Sequence, residues 1–296
     1  MRTVFLGTSG FAACVLRRLA SSEHPPQLVV TRPDRPRGRG RKLAAPPAAE
    51  AARELGIPVA QPGSVNDEEA REAIAAAHPE AVCVCAFGGL IKEPLLSAYR
   101  MVNVHPSLLP RWRGAAPIER AIMAGDEITG VSIMRLSAGL DSGPVCGQST
   151  ESIERQDTYG TLAPRLAELG GQELVRVLSE DPPCAEQDDA LATYAEKISP
   201  EDRRLDPAQD ALQLERVVRA LSPHVGAFLE LPDGLRLGVG EVRAVPHGSG
   251  APGELVVSGS EMPALACGRG QLQLVRVTPP GRKEMTGAEW MRGYIR

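Results

Sequence analysis

Lysine is nearly missing from this chain of 296 residues: only 4 of its 33 basic side chains are Lys and the rest are Arg. The arginines are spread along the whole chain beside abundant Ala and Gly, so their number alone does not mark a nucleic-acid surface. No apolar run approaches the roughly 18 residues that cross a bilayer, and Met1 to Leu6 lacks the charged-then-apolar layout of a secretory leader. A soluble, cytoplasmic protein is expected. No Cys-x-x-Cys occurs, and none of Cys14, Cys83, Cys85, Cys146, Cys184 and Cys267 has a histidine in metal-ligand spacing. That argues against a metal site and leaves six reduced thiols as the expectation. A complete G-x-G-x-x-G is also missing. Gly7-Thr8-Ser9-Gly10 follows the first strand-like run, but no acid ends the second. A dinucleotide site is therefore unsupported; a tight strand-to-helix turn is the simpler reading, and a phosphate cradle the other.

What is present is a globular composition, 43% apolar and 24% charged, with a length that suggests two domains. The net charge of -4 conceals an uneven distribution. Between Arg32 and Lys42 six basic residues stand against Asp34, a net of +5, so the remaining 285 residues carry -9. An acidic protein with one basic, glycine-containing and hence mobile loop fits a polyanionic partner met at one place.

Short apolar runs at 3–6, 28–30, 58–60, 81–85 and 101–104 alternate with helical patterns at 11–20, 48–55, 67–77 and 93–98. That order predicts β-α-β crossovers and a mostly parallel sheet, with the wholly apolar run 81–85 as a central strand. Further strands are expected at 129–136 and 144–150, and a long helix at 159–179. The proline-rich stretch 181–206 reads as a linker between a domain of residues 1–180 and one of residues 207–296. In the latter, a helix at 208–221 precedes short strands punctuated by Gly and Pro, as in a small barrel or sandwich.

The segment Val102-Asn103-Val104-His105-Pro106 is the most informative. On a strand, Asn103 and His105 share one face while Val102 and Val104 share the other. They fall at the strand's C-terminal end, where open α/β sheets place ligands. A carboxamide beside an imidazole suits acyl transfer, the amide N–H stabilising an oxyanion and the imidazole moving a proton. Asp141, between Gly139 and Gly143 and 36 residues beyond His105, can orient that imidazole and stabilise its charged form. Each also has an ordinary reading: His105 as a core histidine, Asn103 as a strand-end cap and Asp141 as a turn residue.

Taken with Ser107-Leu108-Leu109-Pro110, these residues resemble the 10-formyltetrahydrofolate-dependent formyltransferases. The runs Arg32-Pro33-Asp34-Arg35-Pro36, Gly38-Arg39-Gly40-Arg41-Lys42, Arg111-Trp112-Arg113-Gly114-Ala115-Ala116-Pro117-Ile118 and Thr193-Tyr194-Ala195-Glu196-Lys197-Ile198 are similar to the members that act on methionyl-tRNA. The resemblance covers the chain and is weakest in its last 90 residues. It implies a Rossmann-like catalytic domain followed by an OB-like barrel that helps hold tRNA. It also implies formyl transfer from 10-formyltetrahydrofolate to the α-amino group of methionyl-initiator-tRNA, for translation initiation.

On that resemblance Asn103, His105 and Asp141 are catalytic. The folate lies against Phe87, Gly88 and Leu90 and the loop Ser107, Leu108, Leu109 and Pro110. Arg35, Arg37, Arg39, Arg41 and Lys42, with Arg282 and Lys283 in the barrel, contact tRNA. No metal is implied, and a monomer is expected. Two departures stand out: Ser9-Gly10 replaces a common Pro-Asp, and the chain is slightly short after Trp290. The competing readings are a formyltransferase for glycinamide ribonucleotide or an amino sugar, a nucleotide-dependent oxidoreductase, and a tRNA-binding module without catalysis.

Overall fold

The computed structural model describes residues 1–37, 42–231, 234–257 and 262–294. The chain folds as two compact units. The first comprises Met1–Pro117, Ile128–Ser152 and Ala163–Ala195, and the second Ile118–Glu127, Ile153–Leu162 and Glu196–Arg296. The stretch 181–206 thus divides between them near residue 195, and two segments from within 1–180 belong to the second unit.

The strands of the first unit are β1 (Thr3–Gly7), β2 (Pro26–Val30), β3 (Arg35–Arg37), β4 (Lys42–Ala44), β5 (Val59–Ala60), β6 (Ala81–Cys85), β7 (Met101–His105), β8 (Arg113–Gly114), β9 (Ile128–Arg135), β10 (Val145–Ser152) and β11 (Tyr194–Ala195). Seven form one sheet in the order β10-β9-β7-β6-β1-β2-β5. It is parallel from β5 to β7, and β9 then pairs antiparallel with both β7 and β10. β1 and β6 are buried at every position. Their alternate residues feed two cores, Phe5, Cys83 and Cys85 on one face and Val4, Leu6, Val82 and Val84 on the other. This is the continuous apolar pattern of strands covered on both sides.

The helices before residue 181 are α1 (Gly10–Ala20), α2 (Pro47–Glu54), α3 (Glu68–Ala76), α4 (Leu95–Ala98), α5 (Pro117–Ala124) and α6 (Tyr159–Glu180), of which α5 from Ile118 onward and α6 up to Leu162 belong to the second unit. α1 buries Ala12, Val15, Leu16 and Leu19, the i, i+3, i+4, i+7 stripe of an amphipathic helix. Its start explains the first glycine turn: the Ser9 hydroxyl accepts from the Ala12 N–H at 3.3 Å, an ordinary N-cap. A Cβ on Gly7 would collide with Phe5 and Ala12. Close packing of strand on helix therefore accounts for Gly7 without any phosphate.

Two features differ from the sequence reading. The basic segment is not wholly a loop: β3 and β4 pair antiparallel, with Arg35 opposite Ala44 and Arg37 opposite Lys42. Arg39 and Arg41 lie outside the described residues. The expectation of six reduced thiols also fails, because Cys146 and Cys184 form a disulfide and Cys14, Cys83, Cys85 and Cys267 are free. The partners are 38 residues apart. They meet because Val145 and Ala185 exchange two backbone hydrogen bonds of 2.8 and 2.9 Å, a pairing no local spacing reveals. Burial pushes the Cys83 thiol up to about 12 and the Cys267 thiol up to about 11, so neither supplies a thiolate near neutral pH.

In the second unit α7 (Ala211–Leu221), capped by Asp210, precedes β12 (Ala227–Glu230), β13 (Arg236–Val245), β14 (Leu255–Val257), β15 (Pro263–Ala266), β16 (Gln271–Thr278), β17 (Met285–Thr286) and α8 (Gly287–Tyr294). The strands form a curled antiparallel sheet in the order β12-β13-β16-β15-β14, with β17 added to β16. Two register shifts near Glu241 bend the long strand β13. Among the described residues no helix is long and apolar enough to cross a membrane. Nor do any three potential metal ligands cluster.

Candidate active site

The site is built on the C-terminal end of β7, between β6 and β9. Val102 and Val104 belong to the buried core. Strand alternation therefore puts Asn103 and His105 together on the opposite face. Asn103 is half-buried, and among the described residues its carboxamide makes no hydrogen bond. Two donors and an acceptor at a strand end are thus free for a ligand.

His105 is buried. One ring nitrogen, Nε2, lies 2.8 Å from the Trp112 carbonyl, and because a carbonyl only accepts, Nε2 carries a proton. The other, Nδ1, lies 3.6 Å from Oδ2 of Asp141. That is an ion-pair separation but too long for a hydrogen bond, so Nδ1 has room for a second partner. Nδ1 is consequently the nitrogen able to take up and release a proton, and a carboxylate stands beside it when it does.

Asp141 arrives from the turn between β9 and β10 with φ of 46°. Aspartate tolerates the left-handed region better than most residues, but the conformation has to be held. The Gly114 N–H donates to Asp141 Oδ2 at 2.9 Å. Gly114 itself has φ of 118°, and a Cβ there would sit 2.8 Å from the Ala195 carbonyl oxygen. A side chain at 114 is therefore excluded twice, and the N–H that holds Asp141 depends on that glycine.

The loop after β7 is fixed by two buried hydroxyls, those of Ser132 and Ser107. Ser132 on β9 pairs directly opposite His105. Its Oγ donates to the Ser107 carbonyl at 2.6 Å and accepts from the Leu109 N–H at 3.0 Å and from Gln148 Nε2 at 2.9 Å. Ser107 is itself fully buried and its hydroxyl donates to the Arg111 carbonyl at 2.6 Å. Of the residues expected to meet folate, Ser107 is thus an internal brace. Phe87 and Leu109 are buried, whereas Leu108 and Pro110 are half-buried and Leu90 is 70% exposed. Gly88 has φ of 68°.

Arg35 is exposed at the start of the β3–β4 pair, and Arg282 and Lys283 are exposed between β16 and β17. A cavity of about 310 Å³ opens among Leu109, Pro110, Cys146, Gln148 and Gln187. None of Asn103, His105 and Asp141 lines it. The groups that hold the site were not visible as such in the sequence: the Trp112 carbonyl, the Gly114 N–H and Gln187. Trp112 and Gly114 lie in the run 111–118 that the resemblance singled out, whereas Gln187 carries no such signal.

Comparisons with known proteins agree with this architecture. A family model described as formyl transferase matches residues 1–178, and one described as formyl transferase, C-terminal domain, matches residues 197–295. The chain is 43% identical over 300 residues to a methionyl-tRNA formyltransferase of Methylococcus capsulatus, covering 99% of this chain and 97% of that one. Among solved structures it is similar to methionyl-tRNA formyltransferase from Clostridium thermocellum, with a TM-score of 0.61 and 16% identity over 86% of this chain and 96% of that chain. It is also similar to HypX from Aquifex aeolicus in complex with tetrahydrofolic acid, with a TM-score of 0.66 and 18% identity, covering all of this chain and 48% of that one. A Rossmann-like sheet ending in Asn103 and His105, a curled C-terminal sheet and full-length identity above 40% lead to one conclusion: the chain belongs to the formyltransferase family, among the methionyl-tRNA formyltransferases.

Proposed function

We propose that this chain transfers the formyl group of 10-formyltetrahydrofolate to the α-amino group of methionyl-initiator-tRNA at the end of β7, through Asn103, His105 and Asp141. The observation that carries the placement is the free Asn103 carboxamide beside a buried imidazole whose one available nitrogen faces a carboxylate. The amine nitrogen bonds to the formyl carbon, and the bond from that carbon to N10 breaks. One proton leaves the amine and one reaches N10. The Asn103 N–H group hydrogen-bonds the oxygen on which charge develops, where loss of one such donor typically costs about 10²–10³ in kcat. Nδ1 of His105 holds the proton in transit, and Asp141 balances the charge the ring then carries.

The folate fits against exposed Leu90, the open backbone at Gly88 and the half-buried Leu108 and Pro110. These offer an apolar platform on the segments that follow β6 and β7. The basic arms of β3 and β4 and the turn bearing Arg282 and Lys283 supply forked and point cations for phosphate. In this reading residues 1–180 carry catalysis, residues 207–296 help hold tRNA, and the enzyme works in the cytoplasm as a monomer. A formylation assay comparing charged initiator tRNA, elongator methionyl-tRNA and glycinamide ribonucleotide tests it. Transfer confined to the initiator tRNA is expected. Preferential formylation of the ribonucleotide would refute the assignment.

A further inference from the structure

We infer that Gln187 is a positioning residue for the Asp141 turn, setting the place of the catalytic carboxylate without touching substrate; this rests on the catalytic reading of Asp141 above. Its Nε2 donates to the Asp141 carbonyl at 2.8 Å and to the Gly143 carbonyl at 2.7 Å. Its Oε1 accepts from Arg113 Nε at 2.9 Å. The amide therefore has one orientation only. Turned over, it would set its oxygen against two carbonyl oxygens and its NH₂ against a guanidinium N–H.

The two bonds grip the turn on either side of Ser142, where Asp141 is in the left-handed region. Gly143 has no room to move inward, since a Cβ there would overlap the Arg135 carbonyl oxygen. A strained residue keeps such a conformation only while its surroundings over-determine it. Gln187 holds the backbone of Asp141 while Gly114 holds its carboxylate. Losing the first grip leaves the carboxylate swinging about the second.

Gln187 is in turn held firmly. Arg113 is 3% exposed, and its Nη2 donates to Asp189 at 2.8 Å. Two residues before Gln187, Ala185 is laddered to Val145, and Cys184 is bonded to Cys146. A segment 44 to 46 residues beyond the turn thus fixes it from outside.

The test is a double-mutant cycle on kcat, with Asp141→Ala, Gln187→Ala and Gln187→Glu measured singly and each Gln187 change repeated on Asp141→Ala. Gln187→Glu keeps the size and the Arg113 pairing but replaces the donor with an oxygen facing two carbonyls, so it reports on the grip where Gln187→Ala fails to fold. We expect Gln187→Ala and Gln187→Glu to lower kcat on the order of 10- to 100-fold, the range for misplacing a catalytic group by about an ångström. KM for methionyl-tRNA should stay constant, and neither change should lower the rate further once Asp141 is gone. An equal fold-loss in the Asp141→Ala background, or wild-type kcat for Gln187→Glu, would overturn the inference while leaving Asp141 catalytic. A wild-type rate for Asp141→Ala alone would remove the catalytic reading and this inference together.

Discussion

Replacing Ser132 by alanine removes a single oxygen from a fully buried position and takes away three hydrogen bonds. Gln148 keeps its second bond, to the Leu109 carbonyl at 2.9 Å. The Ser107 carbonyl loses the hydroxyl and the Leu109 N–H loses its acceptor. At roughly 1–3 kcal/mol for each of the two buried groups left unpaired, the change costs about 2–6 kcal/mol. Because unfolding of two units need not be one transition, the assay needs a reporter confined to the first. The chain has two tryptophans, Trp112 and Trp290. In a Trp290→Phe background, the fluorescence of Trp112 through a guanidinium titration follows the first unit alone. Since Ser132 lies directly opposite His105 in the ladder, the same variant should also lose formylation rate. A stability loss below about 0.5 kcal/mol, the level of an ordinary surface change, would show that the hydroxyl does not organise this loop.

Three other outcomes follow from the structure and the sequence. Asp202 accepts from Arg120 through both carboxylate oxygens at 2.8 and 2.9 Å, and that guanidinium holds its carboxyl below the ordinary value. The unfolded chain binds the proton more readily, so the pair's stabilisation is full above about pH 4 and fades as pH falls through the folded value. Arg120→Gln should flatten the acid limb of a plot of stability against pH, and an unchanged limb would refute the pairing. Neutralising Arg37, Arg39 and Arg41 should weaken use of aminoacyl-tRNA and reduce the slope of log affinity against log salt by about one for each phosphate left without its cation; a wild-type salt dependence would place the tRNA elsewhere. Under denaturing, non-reducing conditions thiol titration should find four cysteines, not six. Closure of a 38-residue loop gives the disulfide about 4 kcal/mol of stabilisation to lose on reduction, and a Tm indifferent to reductant would argue against it.

The parallel sheet was legible because its strands are short, apolar and separated by helices, and β6 declares itself by having no polar residue. Asn103 and His105 were legible for the same reason, since alternation on one strand is a local property. Asp141 was marked by its flanking glycines. The remaining parts of the site depend on pairings between residues far apart in sequence. Gln187 reaches Asp141 across 46 residues and Trp112 takes its N–H partner, Thr193, across 81. The Cys146–Cys184 bond hides in the same way, because each cysteine looks isolated until β10 meets residue 185. The basic segment misled in a different sense: charge and glycine suggested a loop, whereas backbone pairing between Arg35–Arg37 and Lys42–Ala44 makes its arms a ladder. Helix α8 begins at Gly287 and contains Gly293, so it carries little intrinsic helical signal.

The most direct measurement is single-turnover formylation of methionyl-initiator-tRNA by Asn103→Ala and His105→Ala, with tRNA affinity determined on the same preparations. The proposed chemistry requires a rate loss of about 10²–10³ for Asn103→Ala and a loss of at least about 10² for His105→Ala, with affinity for the tRNA preserved. Wild-type rates in both variants, or a loss explained entirely by weaker tRNA binding, would contradict it.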